Sequence, residues 1–330
     1  MTKRVVNSSD VAKLAGVSRS AVSRTFTPGA SVSPEVREKV LKAAKKLGYR
    51  VNRLAQTLNA RGSSNLVGVV GANIGMPFIA KQLDLLSLGL LHKGLQCLLL
   101  NAADARQDIA PLIELIFEFR AKAIVVLSGE PPNAILEECK RRGVKLILIN
   151  RMMEATDADL ILTDDLGGAR LAAEELLAAG CRKIAVVTSG SGTPSQQRRA
   201  AEFCRIVNAA GGETLDWADG PTSYETGLAA GRALLGDRSL DGAFCVTDLL
   251  ATGFLDAARH EMGLRVPEDI SIVGFDDIPQ ASWKSYNLTT IAQSFDALTD
   301  AVLSAVDHEG DIVEVSTIPV QLIRRNTVRA

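Results

Sequence analysis

Two short segments near the start of the chain carry apolar residues at helical spacing. "SSDVAKLAG" sets Val11, Ala12, Leu14 and Ala15 on one side of a short helix that stops at Gly16, with Ser-Ser-Asp as its cap. After the turn "VS", Ser18 caps a second helix over about 19–26, with Val22 inward and Arg19, Ser20, Ser23 and Arg24 outward. A third follows in "SPEVREKVLKAAKKLGY". Ser33 is its N-cap, Pro34 its first residue, and Val36, Val40, Leu41, Ala44 and Leu47 its apolar face. From Leu66 the pattern changes. "LVGVV", "CLLLN", "AIVVL", "KLILIN", "KIAVVT", "GAFCV" and "ISIVGF" are short strand-like runs with helical patterns between them. Such alternation predicts parallel α/β sheets, here enough for two lobes.

Charge changes this picture. The net charge is −1, yet residues 1–62 carry +10 and the remainder −11. A basic head on an acidic body fits a head that meets a polyanion. Ala12 is small enough for the first two helices to cross closely, and Gly16 tolerates a left-handed turn. Together they predict a helix-turn-helix, whose second helix enters the major groove. Arg19 and Ser20 stand at the N-terminus of that helix. Arginine can donate two parallel bonds to guanine, and serine can bond several bases; Arg24, one turn on, reads a base or holds a phosphate. A solvated amphipathic helix is the bland alternative.

The 330 residues are 47% hydrophobic, enough to bury cores in two or three domains. No apolar run reaches the about 18 residues of a membrane span, and no signal-peptide apolar region follows Met1. A cytoplasmic protein with no membrane partner is expected. Cys97, Cys139, Cys181, Cys204 and Cys245 form no C-x-x-C and are expected to be buried, reduced thiols. His92, His260 and His308 lack metal-ligand spacing. With no P-loop, G-x-G-x-x-G or G-x-S-x-G, no catalytic residue, metal or cofactor is expected, and the chain reads as a non-enzyme.

"DVAKLAGVSRSAVSR" followed by "VSPEVREKVLKAAKKLGYRVNRLAQTL" resembles the DNA-binding head and hinge of the LacI/GalR family of bacterial transcription regulators. "TDDLGGARLAAEELLAAGCRKIAVV", "VPEDISIVGFDDIP" and "LTTIAQ" resemble the effector-binding core of that family, a relative of periplasmic sugar-binding proteins. The resemblance covers nearly the whole chain. It implies an N-terminal all-α helix-turn-helix DNA-binding domain (1–50), a hinge helix and linker (51–63), and an α/β two-lobed periplasmic-binding-protein-like (type I) effector domain (64–330). The N-lobe would take 64–162 and 293–320, and the C-lobe 163–292 and 321–330.

Carried over residue by residue, the resemblance implies DNA contacts at Ser18, Arg19, Ser20, Ser23, Arg24, Ser33, Tyr49, Asn52, Arg53, Gln56 and Leu58. Leu58 would be an apolar wedge in the minor groove. Val51 stands where the family usually has proline. Effector contacts are implied at Asp276, a carboxylate for ligand hydroxyls, at Thr193 and Phe78, and at Phe295 as an apolar wall. Asn73, Ser128, Asn150, Asp165 and Asp248 fall on loops at strand ends, where open α/β sheets bind ligands. The family's ligand arginine falls on Gln197, though Arg151, Arg198 or Arg199 could compensate and admit the alternative, a phosphorylated sugar or an organic acid. A stacking aromatic falls on Thr222, and an asparagine on Thr247. The missing arginine points to a neutral polyol, foremost a sugar, with Trp283 as a further flat surface. The implied protein is a homodimeric regulator, foremost a repressor, on an inverted-repeat operator in double-stranded DNA. A small-molecule effector between the lobes would control its affinity. The alternatives are a transporter's solute-binding protein, which the body permits but the basic head and missing signal peptide oppose, and an α/β enzyme with no DNA role, which no catalytic constellation supports.

Overall fold

The computed structural model describes residues 6–27, 29–51, 65–102, 109–128, 131–151, 157–190, 192–236, 239–308 and 314–330. The chain divides into two units, Met1–Ser64 and Asn65–Ala330.

The first unit holds α1 (Ser8–Ala15), α2 (Arg19–Phe26) and α3 (Pro34–Leu47). Asn7, not the Ser-Ser-Asp run, caps α1. Its side chain accepts from the Ser9 and Asp10 amides, and its own amide donates to Asp10 Oδ2 at 3.0 Å. This capping box satisfies donors at both levels, so the two serines become first-turn residues. Gly16 closes α1 at φ 65°, and Ser18 and Ser33 cap α2 and α3. The core is Val11, Ala12, Val22, Val40, Ala43 and Ala44, flanked by Phe26 and Tyr49 with ring centroids 5.9 Å apart. Leu14 and Leu41, expected inside, are 45% and 47% exposed. The inward stripe of α3 centres on Val40, Ala43 and Ala44, which leaves Leu41 past its edge.

Among the described residues the second unit contains twelve strands: β1 (Leu66–Ala72), β2 (Gln96–Ala102), β3 (Ala123–Val126), β4 (Lys145–Ile149), β5 (Asp159–Thr163), β6 (Lys183–Thr188), β7 (Glu213–Ala218), β8 (Gly242–Cys245), β9 (Ser271–Asp276), β10 (Thr289–Gln293), β11 (Val315–Ile318) and β12 (Val320–Ile323). They form two sheets, in the orders β11-β5-β4-β3-β1-β2 and β12-β10-β9-β8-β6-β7. The β10–β12 pair is antiparallel, and the other pairings are parallel. The chain passes between the lobes after β5, after β10, and between β11 and β12. Helices Pro77–His92 and Phe295–Asp307 pack together on the first lobe, and Asp165–Ala178 packs on Pro194–Ala209 in the second.

The seven apolar runs are β1, β2, β3, β4, β6, β8 and β9. The other five strands carry weaker signals. β7 alternates exposure at a sheet edge, and β11 and β12 are four-residue edge strands. β10 is "TTIAQ", fully buried although three of its five residues are threonine or glutamine.

Helices Tyr224–Leu234 and Asp248–Asp256 cross at two glycines. A Cβ on Gly227 would overlap the Leu250 carbonyl, and one on Gly253 the Tyr224 carbonyl. Neither obstacle is a flexible side chain. Gly227→Ala or Gly253→Ala should therefore cost about 1–3 kcal/mol of stability. Urea unfolding checks this against Gly236→Ala, where the new Cβ meets nothing within 4 Å and the midpoint should hardly move.

Candidate functional site

The head presents one candidate surface. Along α2, Val22 and Thr25 are buried, while Arg19, Ser20, Ser23 and Arg24 face solvent. Ser18 Oγ accepts from the Ala21 amide at 3.2 Å and lies 2.8 Å from Ser20 Oγ. Arg24 Nε donates to the Ser20 carbonyl at 3.4 Å. These bonds set the first turn and aim its polar edge outward. Arg37 Nη1 donates to the Thr25 carbonyl at 3.2 Å, tying α3 to the end of α2. Lys39, Lys42, Lys45 and Lys46 on α3 are exposed and add a cationic surface of the kind phosphates attract. Ser33 is committed to capping α3, and Tyr49 is half-buried beside Phe26. Asn52, Arg53, Gln56 and Leu58 lie outside the described residues.

The second unit presents a cavity of about 720 Å³ between its lobes. Asn73, Phe78, Ser128, Asn150, Thr193 and Asp276 line it, as expected of them. Its N-lobe wall has an apolar stretch of Met76, Pro77, Phe78, Ile79 and Leu127 beside Asn73, Ser128, Asn150 and Arg151. Its C-lobe wall is polar, with Ser195, Gln196, Arg199, Thr222 and Asp276. Ser128 Oγ accepts from the Ala72 amide and so ties the ends of β1 and β3 together. Asn150 Oδ1 accepts from the Thr163 amide at 2.8 Å.

A buried ionic network holds the C-lobe wall. Arg199 Nε donates to Asp165 Oδ1 at 2.8 Å, and its Nη1 donates to Asp276 Oδ1 at 3.2 Å and to the Val246 carbonyl at 3.0 Å. The guanidinium sits 3.6 Å from the centroid of the Phe275 ring. Arg198 Nη2 donates to Asp165 Oδ2 at 2.7 Å. Gln293 Nε2 also donates to Asp276 Oδ1, at 2.6 Å, and Thr163 Oγ1 donates to Gln293 Oε1 at 2.6 Å. Among the described residues, both bonds to Asp276 fall on Oδ1. Asp276 has φ 123°, a conformation that side chains rarely adopt. Burial pushes its carboxyl up to about 6, against the pull of Arg199 and Gln293.

Five expected contacts sit elsewhere. Gln197 is exposed and donates from Nε2 to the Gly192 carbonyl at 3.4 Å; the arginines lining the cavity are Arg199 and, on the N-lobe side, Arg151. The buried stripe Ser195, Gln196, Arg199, Phe203, Val207 runs at helical spacing, which turns Arg199 inward and Gln197 out. Asp165 is buried behind the wall and anchors both arginines. Asp248 lies beneath the site, accepting from Thr290 Oγ1 at 2.5 Å and from the Ile278 amide at 2.9 Å. Phe295 stands behind Phe78, with ring centroids 5.0 Å apart. Trp283 is 55% exposed and is not part of the cavity lining. Gln196, Tyr224 and Gln293 line the cavity without having been anticipated. Gln196 and Gln293 were legible only as polar residues on buried faces.

Residues 9–52 match the model for bacterial regulatory proteins of the lacI family, and residues 173–328 match that for the periplasmic binding protein-like domain. The transcriptional regulator CelR of Thermobifida fusca is 30% identical over 327 residues, 95% of this chain and 94% of CelR. The chain belongs to the LacI family of bacterial regulatory proteins. Regulator GalS of Salmonella typhimurium is 29% identical, over 97% of this chain and 95% of GalS. The Lac repressor dimer bound to operator and an anti-inducer shares the fold, with a TM-score of 0.84 at 24% identity over 99% of this chain and 100% of that one. A LacI-family regulator from Enterococcus faecium with bound ribose matches with a TM-score of 0.71 at 25% identity, over 80% of this chain and 98% of that one. In this LacI-family chain the matched head spans α1, α2 and α3.

Asp248 offers a test of the wall beneath the cavity. Burial first, and then the charge of Asp276, push its carboxyl up to about 8. In the unfolded chain an aspartate titrates near about 4. Between those values the folded state holds the extra proton, so this group's contribution to stability falls as pH rises from about 4 to about 8. Asp248→Asn removes the titration. In urea unfolding at pH 5, 6.5 and 8, the wild type should lose more stability across the series than the variant.

Proposed function

We propose that this regulator binds an inverted-repeat operator as a homodimer through α2, and that a neutral sugar or polyol in the cavity alters that affinity. The observation that carries the reading is the outward edge of α2. In a lacI-family head, Arg19, Ser20, Ser23 and Arg24 form an exposed row on a helix whose other side is core. That row has the chemistry of base-edge readout.

The effector half rests on the cavity. Arg199 lines it, but its charge is already balanced. Arg198 and Arg199 face Asp165 and Asp276, two cations against two carboxylates. An uncharged ligand leaves that balance intact, whereas a strong anion would have to draw Arg151, the other cation lining the cavity, away from contacts such as the Asn150 carbonyl in a poorly solvated cleft. Neutrality thus follows from pairing, not from Gln197. An apolar wall with Phe78 opposite a polar wall with Asp276 suits a ring with one apolar face and a hydroxylated edge. Relatives support sugars as the class: one is a sucrose operon repressor, and the structures include a cellobiose complex of CelR and a regulator with bound ribose.

Gln293 gives the ligand a route to the lobes. It lines the cavity, holds Asp276, and accepts from Thr163. Thr163 and Gln293 stand where the chain passes between lobes after β5 and after β10. A ligand that engages Asp276 or Gln293 therefore acts on two passages at once. Self-association is supported by Leu88, Leu91 and Leu99, exposed on Pro77–His92 and on edge strand β2.

Fluorescence anisotropy with DNA from upstream of its gene tests the first half. Arg19→Ala should cost about 1–3 kcal/mol on the operator and relax the preference at one base position. Equal affinity of the wild type for operator and random DNA would overturn the reading. For the second half, Asp276→Ala should lose the sugar response. An unaltered sugar affinity in that variant would remove Asp276 from the site.

A further inference from the structure

We infer that the cavity takes a ligand of two sugar units, and that Gln196 and Thr222 determine specificity for the second. This rests on the reading of the cavity as a site for a neutral hydroxylated ligand.

The C-lobe wall carries two polar clusters rather than one. The first is Asp276, Arg199 and Gln293, already described. The second is Ser189, Gln196 and Thr222, which takes no part in the ionic network. Ser189 Oγ donates to Gln196 Oε1 at 3.2 Å, Gln196 Nε2 donates to Thr222 Oγ1 at 3.2 Å, and Thr222 Oγ1 lies 2.8 Å from Ser189 Oγ. The Thr222 hydroxyl has two acceptors in reach, Gln196 Oε1 at 3.3 Å and the nearer Ser189 Oγ; donating to Ser189, it closes a ring in which each group donates once and accepts once. The ring uses one N–H of the Gln196 amide, and each oxygen accepts one bond of the two it can take. A ligand hydroxyl can therefore add to the cluster without breaking it. Gln196 and Ser189 are buried, so their amide and hydroxyl are fixed in place before a ligand arrives. Both Gln196 and Thr222 line the cavity.

Spacing separates the clusters. Gln196 and Arg199 are three residues apart on one helix and share its buried stripe. They stand about 4.5 Å apart along its axis, a step comparable to one sugar ring. A ring seated on Asp276 and Arg199 leaves Gln196 and Thr222 to the next unit. Opposite, the apolar wall runs through Met76, Phe78 and Ile79 and offers more than one ring's face a surface. The cavity, about 720 Å³, falls in the upper half of the roughly 300–1,000 Å³ usual for small-molecule sites.

The test is calorimetry on the full-length protein with matched sugars: cellobiose and glucose, lactose and galactose, sucrose and fructose. At least one disaccharide should bind about tenfold more tightly than its monosaccharide, the worth of one or two added hydrogen bonds. Gln196→Leu should remove most of that gain while weakening the monosaccharide by less than about threefold, short of one net hydrogen bond. Thr222→Val, nearly the same shape, makes the same test if Gln196→Leu unfolds. Disaccharides no tighter than their monosaccharides, or variants that weaken both alike, would overturn the second subsite and leave the polyol reading standing. Binding of no sugar of either size would reject the polyol reading and this inference with it.

Discussion

The C-lobe wall depends on one buried cation. Arg199 is almost fully enclosed, and a guanidinium keeps its charge at any ordinary pH. Asp165 and Asp276 make that burial tolerable, and each does so from a different element. Asp165 opens the helix Asp165–Ala178, and Asp276 ends β9. Removing one carboxylate would leave the charge with a single partner in a low-dielectric interior, and removing both would strand it there, which costs several times what an exposed pair contributes. The ionic network therefore fixes where two helices and a strand end meet. The positive φ of Asp276 belongs to the same arrangement. A backbone in that region persists when its surroundings over-determine it, and here two hydrogen bonds on Oδ1 do so.

That rigidity is what makes the cavity useful as a sensor. Asp276 is held by Arg199 from one side and by Gln293 from the other, so its carboxylate cannot turn toward a ligand without loosening one of them. Gln293 in turn is bonded to Thr163. A ligand hydroxyl competing for Asp276 or Gln293 thus changes bonds that belong to the inter-lobe passages. Coupling of this kind needs only a difference in how well the ligand fits two lobe arrangements, and the same difference must appear in DNA affinity.

The parts of this design were unevenly legible in sequence. Helices α2 and α3 could be read to their boundaries because Ser18, Ser33 and Pro34 are local signals whose mechanism lies within one turn. The cap of α1 was missed because Asn7, Ser8, Ser9 and Asp10 can all cap, and only geometry shows which amides are reached. Most strands buried on both faces announce themselves as apolar runs, and edge strand β2 does so through its three leucines, whereas β5 is buried but was not read and β7, β11 and β12 lie at sheet edges and bury too little to stand out. The cavity followed the same logic. Asn73, Asn150 and Asp276 sit at strand ends, where topology alone suggests a site. The arginine was placed two residues early, on Gln197. That error reversed a helix face, since positions two apart on a helix point nearly opposite ways. Asp165 and Asp248 were recognised as special, but their partners, Arg199 and Thr290, are distant in sequence. No local pattern distinguishes a carboxylate that meets ligand from one that holds the residue which does.

The segregation of charge fits this division of labour. The head carries +10 and the rest of the chain −11, so attraction to phosphates is concentrated in the segment with the readout helix. A neutral ligand adds nothing to either total. It cannot regulate by altering the long-range field that draws the head to DNA, as a charged effector or a phosphorylation could. What remains is geometry: hydrogen bonds at Asp276 and Gln293 that favour one lobe arrangement over another. The pairing of Arg199 with Asp165 and Asp276 balances its charge within the wall, and on the proposed reading this leaves hydroxyl placement, rather than that cation, as the property by which one ligand is told from another.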